Sequence, residues 1–227
     1  MVMVNTQRKS SRLVVYSDLC PGTNGVCPGR YQFSALIAES RTDFTFALFI
    51  FIVTLPILAT CALLVKLSSK GPVFFKQTRV GQDGKLFEII KLRTMKVNAE
   101  AETGPVWARD NDPRVTLVGR FLRKSHLDEL PQVINVLRGE MSLVGPRPER
   151  PIFVSEFNTS IPQYYRRLSV KPGITGLAQV RYKYDETMED VRKKLAYDLL
   201  YIRKMCWYLD LTIIFLTIGK VLDKGAK

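Results

Sequence analysis

Several residue types and motifs that support common chemistries are scarce or absent in this sequence. Its 227 residues include one histidine, His126, and four cysteines at no zinc-like spacing, which disfavours a structural zinc site and histidine-based acid–base catalysis. Neither GxGxxG nor GxxxxGK[ST] occurs, which argues against a dinucleotide-binding fold and a P-loop. Acidic residues are also few, because 21 Asp and Glu stand against 34 Lys and Arg, for a net charge of +13. This excess predicts a polyanionic partner: nucleic acid, an anionic membrane surface or a phosphorylated substrate.

One uncharged run of 22 residues, Phe44 to Val65, predicts a membrane segment. As a helix it would be roughly 33 Å long, against a hydrocarbon core of about 30 Å. Pro56 lies in the middle of the run and predicts a kink. Two arrangements stay open: a kinked spanning helix, which the residues alone favour, and a re-entrant helical hairpin with its turn at Pro56. Lysines and arginines are more frequent after the run than before it, which predicts that the larger C-terminal part is cytoplasmic.

The rest of the chain divides into short predicted elements. Residues 1–40 have little periodicity and indicate a loosely ordered leader. GPVFFKQTRV and KLFEIIKLRTM, separated by GQDG, predict a β-hairpin. VKPGITGLAQV predicts a loop, Met188 to Lys204 a charged helix, and Cys206 to Leu222 a helix that lies in the membrane surface or packs in the core.

Two cations of the predicted hairpin and two acids that follow it are candidates for a site that handles phosphate. On the second predicted strand, Lys91 and Arg93 lie on one face, so two cations project side by side. Asp128 and Glu129 lie at the start of a helix, because Pro131 is allowed only in a first turn. A purely structural interpretation is also open for these acids, since Ser125 and Asp128 are spaced as a capping box.

Arg147 lies between two prolines in SLVGPRPERP, which predicts a stiff, extended backbone. A guanidinium on such a segment suits a phosphate, although a proline-rich surface turn is an alternative.

Asp110 and Asp112 match the D-x-D pattern of metal-dependent glycosyltransferases, but DNDP is equally typical of a turn. Paired acids, cations and a membrane anchor together favour metal-assisted transfer of a phosphate-containing group at a bilayer surface.

Several long motifs in order resemble the bacterial sugar transferases, the monotopic polyprenyl-phosphate phosphoglycosyl transferases of exopolysaccharide and glycoconjugate synthesis. The resemblance runs from about residue 41 to the C-terminus, and GPRPERPIF and AQVRYKYDETMEDVRKKLAYDLLYI make it closest to the exopolysaccharide type. The motifs are KGPVFFKQTRVG, KLRTM, DPRVTLVGRFLRKSHLDELPQVINVLRGEMSLVGPRPERP, KPGITGLAQV and YDLLYI.

The resemblance implies an α+β, mostly helical fold: a membrane-associated catalytic domain with a re-entrant N-terminal helix hairpin, a short β-hairpin and interfacial amphipathic helices. The implied divisions are a leader (1–40), a re-entrant hairpin broken at Pro56 (41–67) and a cytoplasmic phosphoglycosyl transferase domain (68–227). Sequence evidence for a preceding multi-span module is lacking, so a compact, catalytic-domain-only member is expected.

The resemblance also implies an activity and a site. A sugar 1-phosphate would pass from a nucleoside-diphosphate sugar, expected to be a UDP-sugar, to polyprenol phosphate. The implied nucleophile is Asp128, which would form an aspartyl phosphosugar, with Glu129 holding Mg²⁺. The family's phosphate-binding arginines correspond to Arg123 and Arg147, and Lys91 and Arg93, predicted from the strand pattern, are expected to supply further positive charge.

The expected partners are the two substrates and membrane lipid at the cytoplasmic face of the bacterial inner membrane. A homo-oligomer stays open, and nucleic acid is not expected. Two rivals stay open as well: a D-x-D glycosyltransferase, which would release a nucleoside diphosphate, and a non-catalytic basic protein that binds membrane or nucleic acid.

The sequence departs from the family at His126, where small or aliphatic residues are usual, and at Leu177, where Trp is common.

Overall fold

The computed structural model describes residues 33–97, 99, 112–182 and 187–225. The α-helices in these ranges are α1 (Phe33–Ser68), α2 (Leu117–Lys124), α3 (Val133–Leu137), α4 (Pro151–Ser160), α5 (Leu177–Arg181), α6 (Met188–Lys204) and α7 (Trp207–Gly225). The strands are β1 (Phe74–Val80), β2 (Leu86–Leu92), β3 (Ser142–Val144) and β4 (Gly173–Thr175). Short 3₁₀ helices cover Gln82–Gly84, Leu127–Gln132 and Tyr164–Ser169. The predicted class, mostly helical with small sheets, is confirmed.

Helix α1 is 36 residues long and contains Pro56. Helical backbone continues through this proline, so the predicted hairpin over residues 41–67 with a turn at Pro56 is not confirmed. A proline removes only one hydrogen bond, and long apolar helices tolerate the loss. Residues 33–40, predicted as part of the leader, belong to this helix, whereas residues 1–32 lie outside the described ranges.

A narrow stripe of α1 packs on the rest of the protein. Ala47, Leu58, Cys61 and Val65 are buried at helical spacing, and they lie over a length of about 27 Å. Most other apolar side chains of the helix are exposed, for example Phe49 at 65%. Within the part of the chain that the structure describes, Thr42–Ser68 is the one segment long and apolar enough to cross a membrane.

The predicted β-hairpin is confirmed. Strands β1 and β2 pair antiparallel, with Phe75 opposite Lys91 and Arg79 opposite Phe87. The connecting turn places Asp83 and Gly84 at positive φ, 55° and 77°, a conformation that glycine and short polar residues adopt most readily. Because directly paired residues face the same side of the sheet, Phe75, Lys91 and Arg79 share one face.

The loop predicted for VKPGITGLAQV is wrong from Gly173 onwards. Residues Gly173–Thr175 form β4, parallel to β3, and α5 follows. A Cβ on Gly173 would lie 2.1 Å from the Gly145 nitrogen, so only glycine permits this close pairing. A three-residue strand shows no useful periodicity, which is why the prediction missed it.

The two C-terminal helices occur where they were predicted. Helix α6 has the predicted bounds, and its first turn is closed by a capping box between Thr187 and Asp190. In α7, Ile213 and Leu209 are fully buried while Trp207 is 71% exposed and Phe215 69% exposed. One face of α7 therefore packs in the core, and the other presents apolar side chains outward.

Candidate active site

The acidic pair lies in the 3₁₀ helix Leu127–Gln132, immediately before α3. His126 precedes this helix with a φ of 57°, a left-handed conformation in which histidine is several-fold enriched over aliphatic residues. The family-atypical histidine therefore occupies a position that suits it. The 3₁₀ turn places Asp128 and Glu129 towards a cavity that β2 and the segment after β3 also line.

The capping box predicted between Ser125 and Asp128 is wrong. Ser125 ends α2, and its hydroxyl donates to the carbonyls of Phe121 and Leu122 at 2.9 and 3.2 Å. The left-handed backbone at His126 turns the chain between the two helices, so the Ser125 hydroxyl stays with the helix that it terminates. Ser125 and Asp128 therefore do not form the reciprocal hydrogen bonds of a capping box.

Two cations from separate elements contact Glu129. Lys91 Nζ lies 2.8 Å from Glu129 Oε1. Arg147 donates to both carboxylate oxygens, at 2.5 Å from Nη2 to Oε1 and 3.3 Å from Nη1 to Oε2. This two-pronged contact is the strong form of an arginine–carboxylate pair. Lys91 and Arg147, both predicted from the sequence as phosphate ligands, are thus brought together on one carboxylate.

The two neighbouring carboxyl groups differ in pKa. Burial and then the negative charge of Glu129 raise the pKa of Asp128 to about 6, although Lys91, Arg123 and Arg147 act in the opposite direction. Burial would also raise the pKa of Glu129, but the charges of Arg147 and Lys91 outweigh it and hold that pKa below its usual value. Glu129 is therefore the fixed anion, and Asp128 is the more basic carboxyl group, as expected for a nucleophile.

Arg123 lies in the last turn of α2 and lines the same cavity. Its Nε donates to Thr94 Oγ1 at 2.9 Å, and its charge acts on Asp128. The Thr116 side chain caps the first turn of α2 by accepting from the Gly119 N–H at 2.9 Å. These contacts fix the helix that presents Arg123.

Arg93 lines the cavity too, but its guanidinium contacts the chain after α1. Its Nη1 donates to the Lys70 carbonyl at 3.0 Å, and its Nη2 to the Ser69 carbonyl at 2.8 Å. Strand β2 ends at Leu92, so Arg93 no longer follows the strand face on which its position was predicted. These contacts attach the end of α1 to the site, and phosphate binding by Arg93 stays a prediction.

A second buried cluster, which the sequence interpretation missed, contacts the backbone carbonyl of Arg147. Arg167 donates to Asp198 at 2.9 Å, to the Tyr164 hydroxyl at 2.6 Å and to the Arg147 carbonyl at 2.8 Å. Asp198 and Arg167 are 3% and 8% exposed. A carboxylate on the apolar face of α6 was the available signal, because a buried charge requires a partner.

The cavity has a volume of about 850 Å³, within the range of roughly 300–1,000 Å³ that holds a whole small-molecule ligand. It brings together all six residues predicted to act in chemistry or phosphate binding, which are Lys91, Arg93, Arg123, Asp128, Glu129 and Arg147.

Of the rival D-x-D pair, Asp110 lies outside the described residues. Asp112 is bound to Arg114 Nη2 at 2.6 Å and accepts from the Arg114 backbone N–H, as in a turn.

The acidic pair has a donor set that suits Mg²⁺. Among the described residues, no group of three or more His, Cys, Asp or Glu side chains is placed to hold a metal ion by itself. Mg²⁺ is commonly held by one or two carboxylates together with substrate phosphates and water. Glu129 Oε2 has a single arginine contact, which leaves a carboxylate lone pair for such an ion.

Comparison with known proteins agrees with these features. A family model described as bacterial sugar transferase matches residues 34–224. The chain is 48% identical over 186 residues to a UDP-glucose:undecaprenyl-phosphate glucose-1-phosphate transferase of Escherichia coli K12, covering 81% of this chain and 40% of that protein. Over 167 residues it is 47% identical to a UDP-N-acetylgalactosamine-undecaprenyl-phosphate N-acetylgalactosaminephosphotransferase of Aeromonas hydrophila, covering 74% of this chain and 39% of that protein.

The chain thus spans about two fifths of the length of those two relatives. It also matches a relative of similar size, the exopolysaccharide production protein PSS of Rhizobium leguminosarum bv. phaseoli, at 37% identity over 195 residues, which covers 84% of this chain and 98% of that protein. Since the family model covers most of its length, the chain belongs to the bacterial sugar transferase family.

Proposed function

We propose that this protein transfers a sugar 1-phosphate from a UDP-sugar to polyprenol phosphate and so initiates exopolysaccharide or glycoconjugate synthesis. The observation that supports this most strongly is that buried Asp128 lies next to Glu129, which Lys91 and Arg147 contact, in one cavity. The names of the relatives support the substrate classes, since two of them act on UDP-sugars and undecaprenyl phosphate.

The proposed chemistry has two steps. A carboxylate oxygen of Asp128 attacks the sugar-bearing phosphorus, the bond from that phosphorus to the bridging oxygen breaks, and UMP leaves with the electron pair. An oxygen of polyprenol phosphate then attacks the same phosphorus, and the bond to Asp128 breaks. The products are polyprenyl diphosphate sugar and free Asp128 carboxylate.

The cations of the site would stabilise the charge that these steps create. Lys91, Arg123 and Arg147 surround the point where phosphate oxygens must lie next to Asp128, and they are already fixed by protein contacts. Such preorganised charge needs little rearrangement in the transition state. Bound to Glu129 and the diphosphate, Mg²⁺ would supply further positive charge that offsets the repulsion between the anionic nucleophile and the anionic substrate.

We further propose that α1 enters a single leaflet, with the catalytic part on the cytoplasmic face of the inner membrane. Residues towards both ends of the apolar segment Thr42–Ser68 pack on the same domain: Ala47 lies against β2 and α3 residues, and Val65 against Leu92 and Leu122. The Asp43 carboxylate also accepts from Ser142 and from the Leu143 N–H. A helix that crossed the bilayer would carry its first residues away from these partners.

A direct assay tests the proposed activity. Purified full-length protein in lipid nanodiscs is incubated with polyprenol phosphate and each of a panel of UDP-sugars, with Mg²⁺. We expect release of UMP that requires the polyprenol phosphate. Release of UDP would instead support the D-x-D glycosyltransferase, and no nucleotide release with any sugar would contradict the proposal.

A further inference from the structure

The cavity extends well beyond the acidic pair in two directions. Phe75 and Arg79, on the same face of β1, both line it, and four strand residues span about 13 Å. Phe75 pairs with Lys91, beside the acids, whereas Arg79 donates to the Pro148 carbonyl at 3.0 Å, beyond Arg147. The lining of the cavity therefore follows β1 from Phe75, beside the acids, to Arg79, beyond Arg147.

One end of the cavity adjoins the point where α1 ends. We call this end the membrane-side lobe and define it by Pro72, Phe74, Phe75, Met95 and Val97. Phe74 and Phe75 are 42% and 44% exposed, and the neighbouring Arg93 is bonded to the carbonyls of residues 69 and 70. A lipid-linked phosphate must approach from the bilayer, so this apolar lobe suits the acceptor.

The other end has different chemistry. We call it the distal lobe and define it by Arg79, Glu149, Arg150, Phe153, Arg167, Lys194 and Asp198. Four of these side chains are basic and two are acidic, so the lobe is positively charged. Phe153 is partly buried and stacks on Phe157, with 6.2 Å between the ring centroids, and both residues line the cavity. Cations and aromatic rings in one lobe suit a ligand that combines phosphate with a planar base.

We infer that the distal lobe binds the nucleoside monophosphate part of the sugar donor. The inference rests on the proposed function and adds the location of the leaving group: the α-phosphate near Arg150 and Lys194, and the base against Phe153. The soluble donor then enters away from the lipid, and the two substrates share only the space beside Asp128. UMP can depart through the distal lobe while polyprenol phosphate arrives from the membrane side.

The test measures UMP binding to the purified full-length protein by calorimetry. Lys194→Ala removes a cation from the distal lobe, and we expect UMP affinity to fall roughly tenfold, the loss typical of a hydrogen bond to a charged group. Lys193→Ala is the matched control, because Lys193 is the adjacent residue of α6, half-exposed and paired with Glu189 at 3.8 Å. Its UMP affinity should stay within about twofold of the parent.

Two further variants keep the inference testable if Lys194→Ala unfolds. Arg150→Ala should weaken UMP binding in the same way, whereas Phe75→Ala in the membrane-side lobe should leave UMP affinity unchanged and raise the KM for polyprenol phosphate. Unchanged UMP affinity in every folded distal variant would overturn the inference, as would weakened affinity in Phe75→Ala alone. Failure of the parent to release UMP from any UDP-sugar would contradict the proposed function, whereas an active parent with unaffected distal variants contradicts only the subsite.

Discussion

At the scale of the residue, two adjacent carboxyl groups differ in acidity because they face different neighbours. Glu129 accepts from Lys91 and from both Nη atoms of Arg147. Asp128 is 8% exposed, and burial and the charge of Glu129 raise its pKa to about 6. Local sequence would give both residues the same ionisation, so their separate roles come from tertiary contacts.

Arg167 gives a prediction at this scale. Arg167→Lys keeps a positive charge beside Asp198, but an ammonium group cannot match the planar fork that now reaches Asp198, Tyr164 and the Arg147 carbonyl. The Arg147 backbone should shift, and a displacement of about 1 Å can lower kcat roughly 100-fold. Steady-state assays of UMP release measure kcat.

The neighbouring arginine is the matched control for that variant. Arg166 is exposed, and its Nη1 donates to Gln163, the residue that precedes the same 3₁₀ helix. Arg166→Lys should keep the parental kcat and melting temperature. If Arg167→Lys and Arg166→Lys had the same kcat, the proposed support of Arg147 by Arg167 would be wrong.

At the scale of the element, α2 packs so closely on the chain after β2 that one position admits only glycine. A Cβ on Gly119 would lie 2.0 Å from the Thr94 carbonyl oxygen. Gly119→Ala should therefore displace α2 and lower the free energy of unfolding by about 1–3 kcal/mol, the typical cost of overpacking. Because Arg123 lies on the same helix, kcat should fall too. Denaturant unfolding in one detergent measures the first effect.

A second glycine provides the comparison. Gly219 lies in α7, and nothing would lie within 4 Å of its added Cβ. Gly219→Ala should raise the free energy of unfolding by up to about 1 kcal/mol, because alanine favours helix over glycine. Equal stabilisation by both substitutions would show that helix propensity and not the contact with Thr94 governs position 119.

The junction of α1, α6 and α7 predicts a dependence of stability on pH. Asp210 of α7 accepts from the Tyr201 hydroxyl at 2.8 Å. Burial raises its pKa from the usual 3.8 to about 6, the Tyr201 hydrogen bond opposes this, and the charge of Asp43 adds to it. Lys171 faces Asp43 and moderates that charge.

Since the folded pKa of Asp210 lies above the unfolded value, the folded state holds this proton more tightly. The resulting stabilisation is complete below about pH 4 and is lost as pH rises through about 6. Asp210→Asn cannot ionise, so relative to the parent its free energy of unfolding should rise between pH 4 and 7 by on the order of 3 kcal/mol. Unfolding curves at several pH values measure this difference, and a difference independent of pH would contradict the prediction.

The sequence predicted the elements that depend on local pattern and missed those that depend on distant partners. The β1–β2 hairpin and α6 follow from alternation, turn glycines and helical spacing, and both were confirmed. The β3–β4 pair was missed because its strands are three residues long and come from separate parts of the chain. For the same reason the acids and cations of the site were found individually, whereas Arg167 and Asp198, 31 residues apart, were not.

At the scale of the whole molecule, α1 and the catalytic part form one packed unit, which predicts the topology. Thr42 and Lys70 lie near the two ends of the apolar segment, and both are exposed. Thr42→Cys and Lys70→Cys, each in a background without other cysteines, should both resist a membrane-impermeant maleimide in intact spheroplasts. Both should react once the membrane is permeabilised.

The alternative topology gives a different pattern of labelling. A spanning helix would expose one of the two positions to the reagent in intact spheroplasts and shield the other. Labelling of Thr42→Cys alone in intact spheroplasts would therefore contradict a helix that enters one leaflet.

The proposed mechanism requires that Asp128 forms a covalent bond to the phosphosugar. The most direct measurement is intact-protein mass spectrometry after incubation with Mg²⁺ and the UDP-sugar that the panel identifies, without polyprenol phosphate. We expect a mass increase equal to one phosphosugar, which is lost when polyprenol phosphate is added and is absent in Asp128→Asn. Robust UMP release and the same adduct in Asp128→Asn would contradict it.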